Sequence, residues 1–128
     1  MKFLLTIFTL LFTVMFSSAS FANWTKVGGN VSGDTMYVDL ERIRKHGGFV
    51  YYWSLTDYLK PDKWGDLSNK IYYQADCNLF RVMTLSYAFH KLPMGDGTGE
   101  IDEPVEKEKW TYPTPDSMGE ILLKEVCG

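Results

Sequence analysis

The segment Phe49–Thr56 reads FVYYWSLT, and it decides the fold. It is dense in aromatic and β-branched residues, which are typical of strands, and Gly47-Gly48 just before it is typical of a turn. Successive side chains of a strand point to opposite faces of its sheet. The predicted core face carries Phe49, Tyr51, Trp53 and Leu55. The opposite face, expected to be half exposed to water, carries Val50, Tyr52, Ser54 and Thr56.

Two further strands are predicted on the C-terminal side of this segment. Asn69–Cys77 alternates in the same way, and Leu79–Phe89 continues the pattern. The short link through Asn78 fits either a hairpin or a bulged continuation of one strand. The side chains predicted to share the inner face of these strands are Ile71, Tyr73, Ala75 and Cys77 in the first and Met83, Leu85, Tyr87 and Phe89 in the second.

Shorter elements are predicted towards the N-terminus. Trp24–Val27 and Thr35–Val38 are two short strands around a turn-rich stretch, and Asp39–Lys45 is expected to form one helical turn. Strands precede the one predicted helix, so the fold class is α+β, with one domain over residues 23–128.

The C-terminal residues are predicted to form that helix, which would end near Cys127. Its start is marked either by Thr114 as cap with Pro115 in the first position, or by Ser117 as cap with Glu120 three residues later. An apolar stripe is expected to lie on the sheet, and it consists of Met118, Ile121, Leu122 and Val126.

The N-terminal residues have the layout of a secretory signal peptide. Met1-Lys2 is a positive start, Phe3–Phe16 is an apolar run, and Ser17–Ala22 is small and polar. We expect a signal peptide over residues 1–22, cleaved before Asn23. A membrane anchor is disfavoured, because a spanning helix needs about 20 apolar residues. No cysteine lies near the predicted cleavage site, so a lipid anchor on an N-terminal cysteine is not expected.

The chain has two cysteines, Cys77 and Cys127. In an exported and oxidising compartment, an even pair most simply forms a disulfide. The alternatives are two buried free thiols or half of a metal site, but no further cysteine is present to complete a zinc cluster. We therefore predict a disulfide that tethers the C-terminal helix to the strand ending at Cys77.

Charge and motifs argue against several classes of function. The formal net charge of −3 and the pI near 5.3 disfavour nucleic acid as a partner. The only histidines, His46 and His90, are not spaced for a catalytic triad, so no catalytic residue is predicted. Gly95–Glu100 lacks the lysine of a phosphate loop and the glycine of a calcium loop. No metal or cofactor is expected.

Aromatic residues make up 16% of the chain, and most of them must fill the core. Two long connections, Asp57–Leu67 and His90–Lys109, are expected to be surface loops, where binding groups usually lie. Binding candidates are the outward aromatic side chains of the strands and of the first loop, and an alternative is that they pack under loops and the sheet edge. These candidates are Tyr52, Tyr58, Trp64 and Tyr72.

The order of short motifs resembles the bacterial surface-adhesin protein E family. The motifs, which cover nearly all of residues 24–127, are Trp24-Thr25-Lys26-Val27, Thr35-Met36-Tyr37-Val38-Asp39, Ile43, Gly47-Gly48, Trp53-Ser54-Leu55-Thr56-Asp57-Tyr58, Ser68-Asn69-Lys70, Asp76-Cys77, Arg81, Trp110, Pro113, Ser117 and Cys127. The resemblance implies a sheet of about six antiparallel strands with a disulfide-tethered C-terminal helix, in agreement with the reading from the residues. It also implies an adhesin that binds host matrix or plasma proteins.

Three functions of different classes follow. The leading hypothesis is an exported, non-enzymatic, adhesin-like domain in the periplasm or at the cell surface that contacts proteins, from the host matrix or the envelope, through loops and exposed aromatic side chains. The second is a periplasmic accessory or structural protein without a host ligand. The weakest is a small hydrolase, because no nucleophile and base can be paired.

Overall fold

A computed structural model describes residues 23–128, so the predicted signal peptide lies outside the described residues. Within that range the chain forms seven strands and one α-helix, named in chain order. They are β1 (Thr25–Gly29), β2 (Thr35–Val38), β3 (Arg44–His46), β4 (Phe49–Asp57), β5 (Ser68–Asp76), β6 (Arg81–His90), β7 (Ile101–Asp102) and α1 (Met118–Cys127). No helix of residues 23–128 is long and apolar enough to cross a membrane.

All seven strands join one open antiparallel sheet in the order β1-β2-β4-β5-β6-β7, with β3 also paired to β4. Together with α1, this confirms the predicted α+β class. β3 was missed, because the predicted helical turn is a 3₁₀ turn of only three residues, Leu40–Arg42. Gly47 and Gly48 have φ of +60° and +83°, which allows a two-residue hairpin to pair His46 with Phe49.

The helix α1 packs on one face of the sheet, and the disulfide Cys77–Cys127 ties its last residue to the chain just after β5. Ser117 is its cap, since the Ser117 Oγ accepts a hydrogen bond of 3.2 Å from the Glu120 backbone N–H. This confirms the second of the two predicted starts. The buried cluster between helix and sheet consists of Val38, Val50, Tyr52, Ala75, Leu122, Leu123 and Val126.

The prediction of which β4 face lies in the core is wrong. Val50, Tyr52 and Ser54 are buried on the side that α1 covers, whereas Tyr51 and Trp53 are only half-buried on the other side. Leu55 is buried on that other side, because Gly95 of a second 3₁₀ turn lies against it. Both faces of β4 are apolar, so alternation shows which residues share a face but not which face receives the helix. We call the side without α1 the open face.

β5 and β6 form a hairpin, which decides between the two predicted alternatives. The Asp76 carboxylate organises its turn by accepting hydrogen bonds from the backbone N–H groups of Asn78 and Leu79 and from Arg81 Nε. A β-bulge leaves Leu85 unpaired, because Ser86 pairs with Tyr72 while Thr84 pairs with Tyr73. The extra residue shifts the alternation. The predicted single inner face of β6 is therefore wrong: Met83 lies on the open face, whereas Tyr87 and Phe89 lie on the face that carries α1.

Candidate functional site

Three connections meet at one end of the sheet, which we call the loop end: residues 30–34, 58–67 and 91–100. Strand register brings them together, because Thr35 at the start of β2 pairs with Asp57 at the end of β4. Likewise Ser68 at the start of β5 pairs with His90 at the end of β6. The loop end is therefore a surface built from segments distant in sequence.

Large apolar side chains are exposed at the loop end. Trp64 is 66% exposed, and the Lys63 ammonium lies 4.3 Å from the centroid of its ring. Each of the three connections contributes at least one such side chain, and the others are Val31, Leu59 and Leu92. An exposed tryptophan beside aliphatic side chains is typical of protein contact surfaces.

The loop that carries Trp64 is ordered by its own hydrogen bonds. The Asp62 carboxylate accepts from the backbone N–H groups of Trp64, at 3.0 Å, and of Asp66, at 2.8 Å. The Asp62 N–H donates in turn to the Asp66 carbonyl at 2.9 Å. Gly65 has a φ of +81°, a conformation that favours glycine. Trp64 is thus presented on a preformed turn.

Lys91 fastens this loop to the residues after β6. Its ammonium donates to the Trp64 carbonyl at 2.6 Å and pairs with the Asp66 carboxylate at 2.9 Å. The Leu67 N–H also donates to the His90 carbonyl at 2.8 Å. These bonds hold the loop in one geometry, and a segment held in this way loses less conformational entropy on binding than a flexible one.

Tyr58 and Leu59 connect the same loop to the β1–β2 turn. The Asn69 side-chain amide donates to the Tyr58 hydroxyl at 2.7 Å, and burial raises the pKa of that hydroxyl above its ordinary value. The Leu59 N–H donates to the Asp34 carboxylate at 3.0 Å, and the Leu59 side chain lies against Gly33. A shallow hollow of about 400 Å³ lies between the two segments.

The four binding candidates predicted from sequence do not form one patch. Trp64 and Tyr58 lie at the loop end, the first exposed and the second half-buried. Tyr72 lies on the open face, with its ring centroid 4.9 Å from that of Trp53. The prediction that Tyr52 faces outward is wrong: it is 1% exposed, and its ring packs 5.4 Å from that of Tyr73 under α1. Burial accordingly raises the pKa of the Tyr52 hydroxyl.

Several residues of the loop end were not predicted. Leu59 and Lys63 lie within the predicted loop but carried no distinct signal, and Lys91 acts from another connection. The sequence Asp62-Lys63-Trp64-Gly65 did indicate a turn. An aspartate carboxylate often accepts a hydrogen bond from the backbone N–H two residues later, and a glycine at the end is typical of such turns. Within residues 23–128 no group of three potential ligands is placed to hold a metal ion.

The fold is similar to that of solved bacterial structures. Crystal form II of Haemophilus influenzae protein E is 17% identical to this chain, with a TM-score of 0.61 over 85% of this chain and 90% of that chain. Another structure of Haemophilus influenzae protein E gives 17% identity and a TM-score of 0.60, over 85% and 86% of the two chains. Protein E from non-typeable Haemophilus influenzae is 17% identical to this chain, with a TM-score of 0.56 over 86% of this chain and 78% of that chain.

At this identity the likeness to the solved structures shows the fold alone. No curated protein sequence is significantly similar to the chain. The family comparison rests on sequence, and its match runs from Trp24, before β1, to Gly128, after α1. The model of the family described as surface-adhesin protein E matches residues 24–128, and the chain therefore belongs to the surface-adhesin protein E family.

Proposed function

We propose that this protein is an exported, non-enzymatic, adhesin-like domain that contacts proteins of the host matrix or the cell envelope through its loop end. Membership of a surface-adhesin family supports the adhesin-like class. The observation that carries the proposed site is the exposure of Trp64 on a loop that its own hydrogen bonds hold in place.

The position of Trp64 favours a role in binding over one in folding. A buried tryptophan replaced by alanine destabilises a protein by about 3–5 kcal/mol, whereas an exposed one usually changes stability by less than about 0.5 kcal/mol. Trp64 is of the second kind. The same connection also carries the exposed Leu59 and the half-buried Tyr58, so the proposed surface combines one aromatic anchor with further apolar side chains.

The test compares Trp64→Ala with Tyr112→Ala, using the chain without residues 1–22. Tyr112 is 65% exposed, as Trp64 is, and the bridge of its neighbour Thr111 to Val82 places it near the start of β6, away from the loop end. Both variants should melt within a few degrees of the parent protein. Binding to a surface coated with solubilised extracellular matrix should weaken at least about tenfold for Trp64→Ala and remain unchanged for Tyr112→Ala.

Equal binding by the two variants would reject the loop end as the contact surface. A large drop in melting temperature for Trp64→Ala would show that this ring stabilises the fold and would reject its role as an exposed binding side chain. If neither the parent protein nor the variants bound the matrix, the alternative of a periplasmic accessory protein would be favoured. Protease digestion of intact cells separates these two functions directly, because a surface protein is cleaved and a periplasmic one is protected.

A further inference from the structure

The open face contains a cleft next to the loop end, and none of the exposed apolar side chains of the proposed protein contact lines it. It has a volume of about 490 Å³. Its floor includes Trp53, Lys70 and Ala88 from three neighbouring strands, and one wall is formed by residues 97–99 of the connection after β6. The other wall includes Trp24 together with Asp39, which precedes the first 3₁₀ turn, and Arg42, which is the last residue of that turn.

Two polar side chains that line this cleft are buried and carry atoms without a hydrogen-bond partner. Asp39 is 2% exposed, and its Oδ1 atom has no hydrogen-bond partner among the described residues. His90 is 5% exposed, and neither of its ring nitrogens has a hydrogen-bond partner among the described residues. A buried polar atom without a partner destabilises the fold, and native structures contain few of them. Two such residues lining one cleft indicate that a ligand with hydrogen-bonding groups completes it.

The cleft also carries more positive than negative charge. Arg42 Nε lies 3.4 Å from Asp39 Oδ2, so these two charges largely balance. Lys70 is half-buried, and it forms no ion pair within residues 23–128. An anionic group on the ligand would form the ion pair that this ammonium lacks.

Aromatic side chains extend the cleft along the open face. The ring of Tyr72 lies 4.9 Å from that of Trp53 and 6.3 Å from that of Tyr51, measured between centroids. Tyr51 and Tyr72 also line a second hollow of about 500 Å³, whose other lining residues are Arg44, Lys45 and His46. The open face therefore carries a continuous aromatic track with basic groups at both ends.

We propose that this track binds an acidic oligosaccharide, of the class built from uronic acids. The apolar faces of the sugar rings would lie on Trp24, Trp53 and Tyr72, and the carboxylates would pair with Lys70 and the basic groups of β3. Sugar hydroxyls both donate and accept hydrogen bonds. They can therefore donate to the Asp39 carboxylate, which only accepts, and pair with the ring nitrogens of His90.

Other anionic chains fit less well. A single strand of DNA offers stacking bases and phosphates, but its sugar carries no hydroxyl to donate to Asp39. A neutral oligosaccharide would provide the hydroxyls but leave the Lys70 charge without a partner.

The experiment titrates the chain without residues 1–22 with tetragalacturonate and follows the indole N–H signals by NMR. We expect saturable binding that weakens with added salt and shifts the Trp24 and Trp53 signals, but not that of Trp64. The variant Lys70→Gln should bind at least about tenfold more weakly. The matched control Lys124→Gln makes the same charge change on α1, on the other side of the sheet, and should bind as the parent does.

Arg42→Gln is a second variant in case Lys70→Gln does not fold, and it should also weaken binding at least about tenfold. The proposal is rejected if maltotetraose binds as well as tetragalacturonate, if a DNA tetranucleotide binds equally, or if no saturable binding occurs. It is also rejected if Lys124→Gln loses as much affinity as Lys70→Gln. Since Trp64→Ala should leave this titration unchanged, failure here and failure at the loop end are separate results.

Discussion

Removal of the Cys77–Cys127 disulfide should weaken the fold substantially and in one region most of all. The two cysteines are 50 residues apart in sequence. For a closed loop of that length, the chain-entropy estimate of the stabilisation is about 4 kcal/mol. Whole domains are stable by only about 5–15 kcal/mol. We therefore expect the double variant Cys77→Ala/Cys127→Ala to lose about 4 kcal/mol of unfolding free energy, measured by urea denaturation.

The region that loosens should be α1. The helix has 10 residues, and isolated helices shorter than about 12–15 residues are marginal in water. Without the tether, α1 is held mainly by the burial of Leu122, Leu123 and Val126. Amide hydrogen exchange in residues 118–126 should therefore accelerate more than exchange in β4 and β5, which lie in the middle of the sheet.

Reduction of the parent protein by dithiothreitol is the control, since it removes the same bond without a substitution. It should reproduce both the loss of unfolding free energy and the exchange pattern of the double variant. If the double variant lost less than about 1 kcal/mol, the entropic argument would fail for this loop. Unchanged exchange in residues 118–126 would mean that packing alone holds α1.

Three further predictions concern single side chains. Tyr52→Ala should lower the unfolding free energy by about 3–5 kcal/mol in denaturant titrations, because it leaves a cavity under α1. A loss of less than about 0.5 kcal/mol, as for an exposed residue, would contradict the burial of Tyr52. Gly99→Ala should displace the wall of the cleft, because its Cβ would lie 2.5 Å from His90 Cε1; unchanged His90 ring signals in NMR spectra would contradict the close packing. The Leu79 N–H holds the pKa of Asp76 below its ordinary value of 3.8, with Arg81 adding to this. The stability from this carboxylate is therefore present above about pH 4 and is lost as the pH falls through the lower, folded-state pKa, so Asp76→Asn should flatten acid denaturation curves below about pH 4. Parallel curves for variant and parent would refute that.

The two proposed surfaces depend on different parts of the same sheet. The loop end depends on the local hydrogen bonds of Asp62 and on bonds between connections, such as that of Lys91 to the Trp64 carbonyl. The cleft depends on the open face, which stays partly exposed because α1 covers only the other side. Substitutions at one of the two proposed surfaces should therefore leave binding at the other unchanged.

Local patterns in the sequence were sufficient for most elements. The aromatic and β-branched run of β4, the alternation in β5 and a C-terminal helix with Ser117 as one of two candidate caps were predicted because each depends on neighbouring residues. The disulfide was predicted because the chain has a single pair of cysteines. Pro61 and Gly65 marked the segment of Trp64 as a surface loop, but the sequence left open whether this ring is exposed or packs under the loop.

Only the tertiary structure decided which face of β4 receives the helix. Tyr52 and Trp53 are neighbours of similar character, so the choice depends on packing against α1 and not on either residue. The bulge at Leu85 likewise reverses the alternation of β6 without a local mark. The cleft was invisible for the same reason: Asp39, Lys70 and His90 meet through strand pairing between distant segments, and contacts of that kind are set by the energy of the whole sheet and not by the sequence around any one residue.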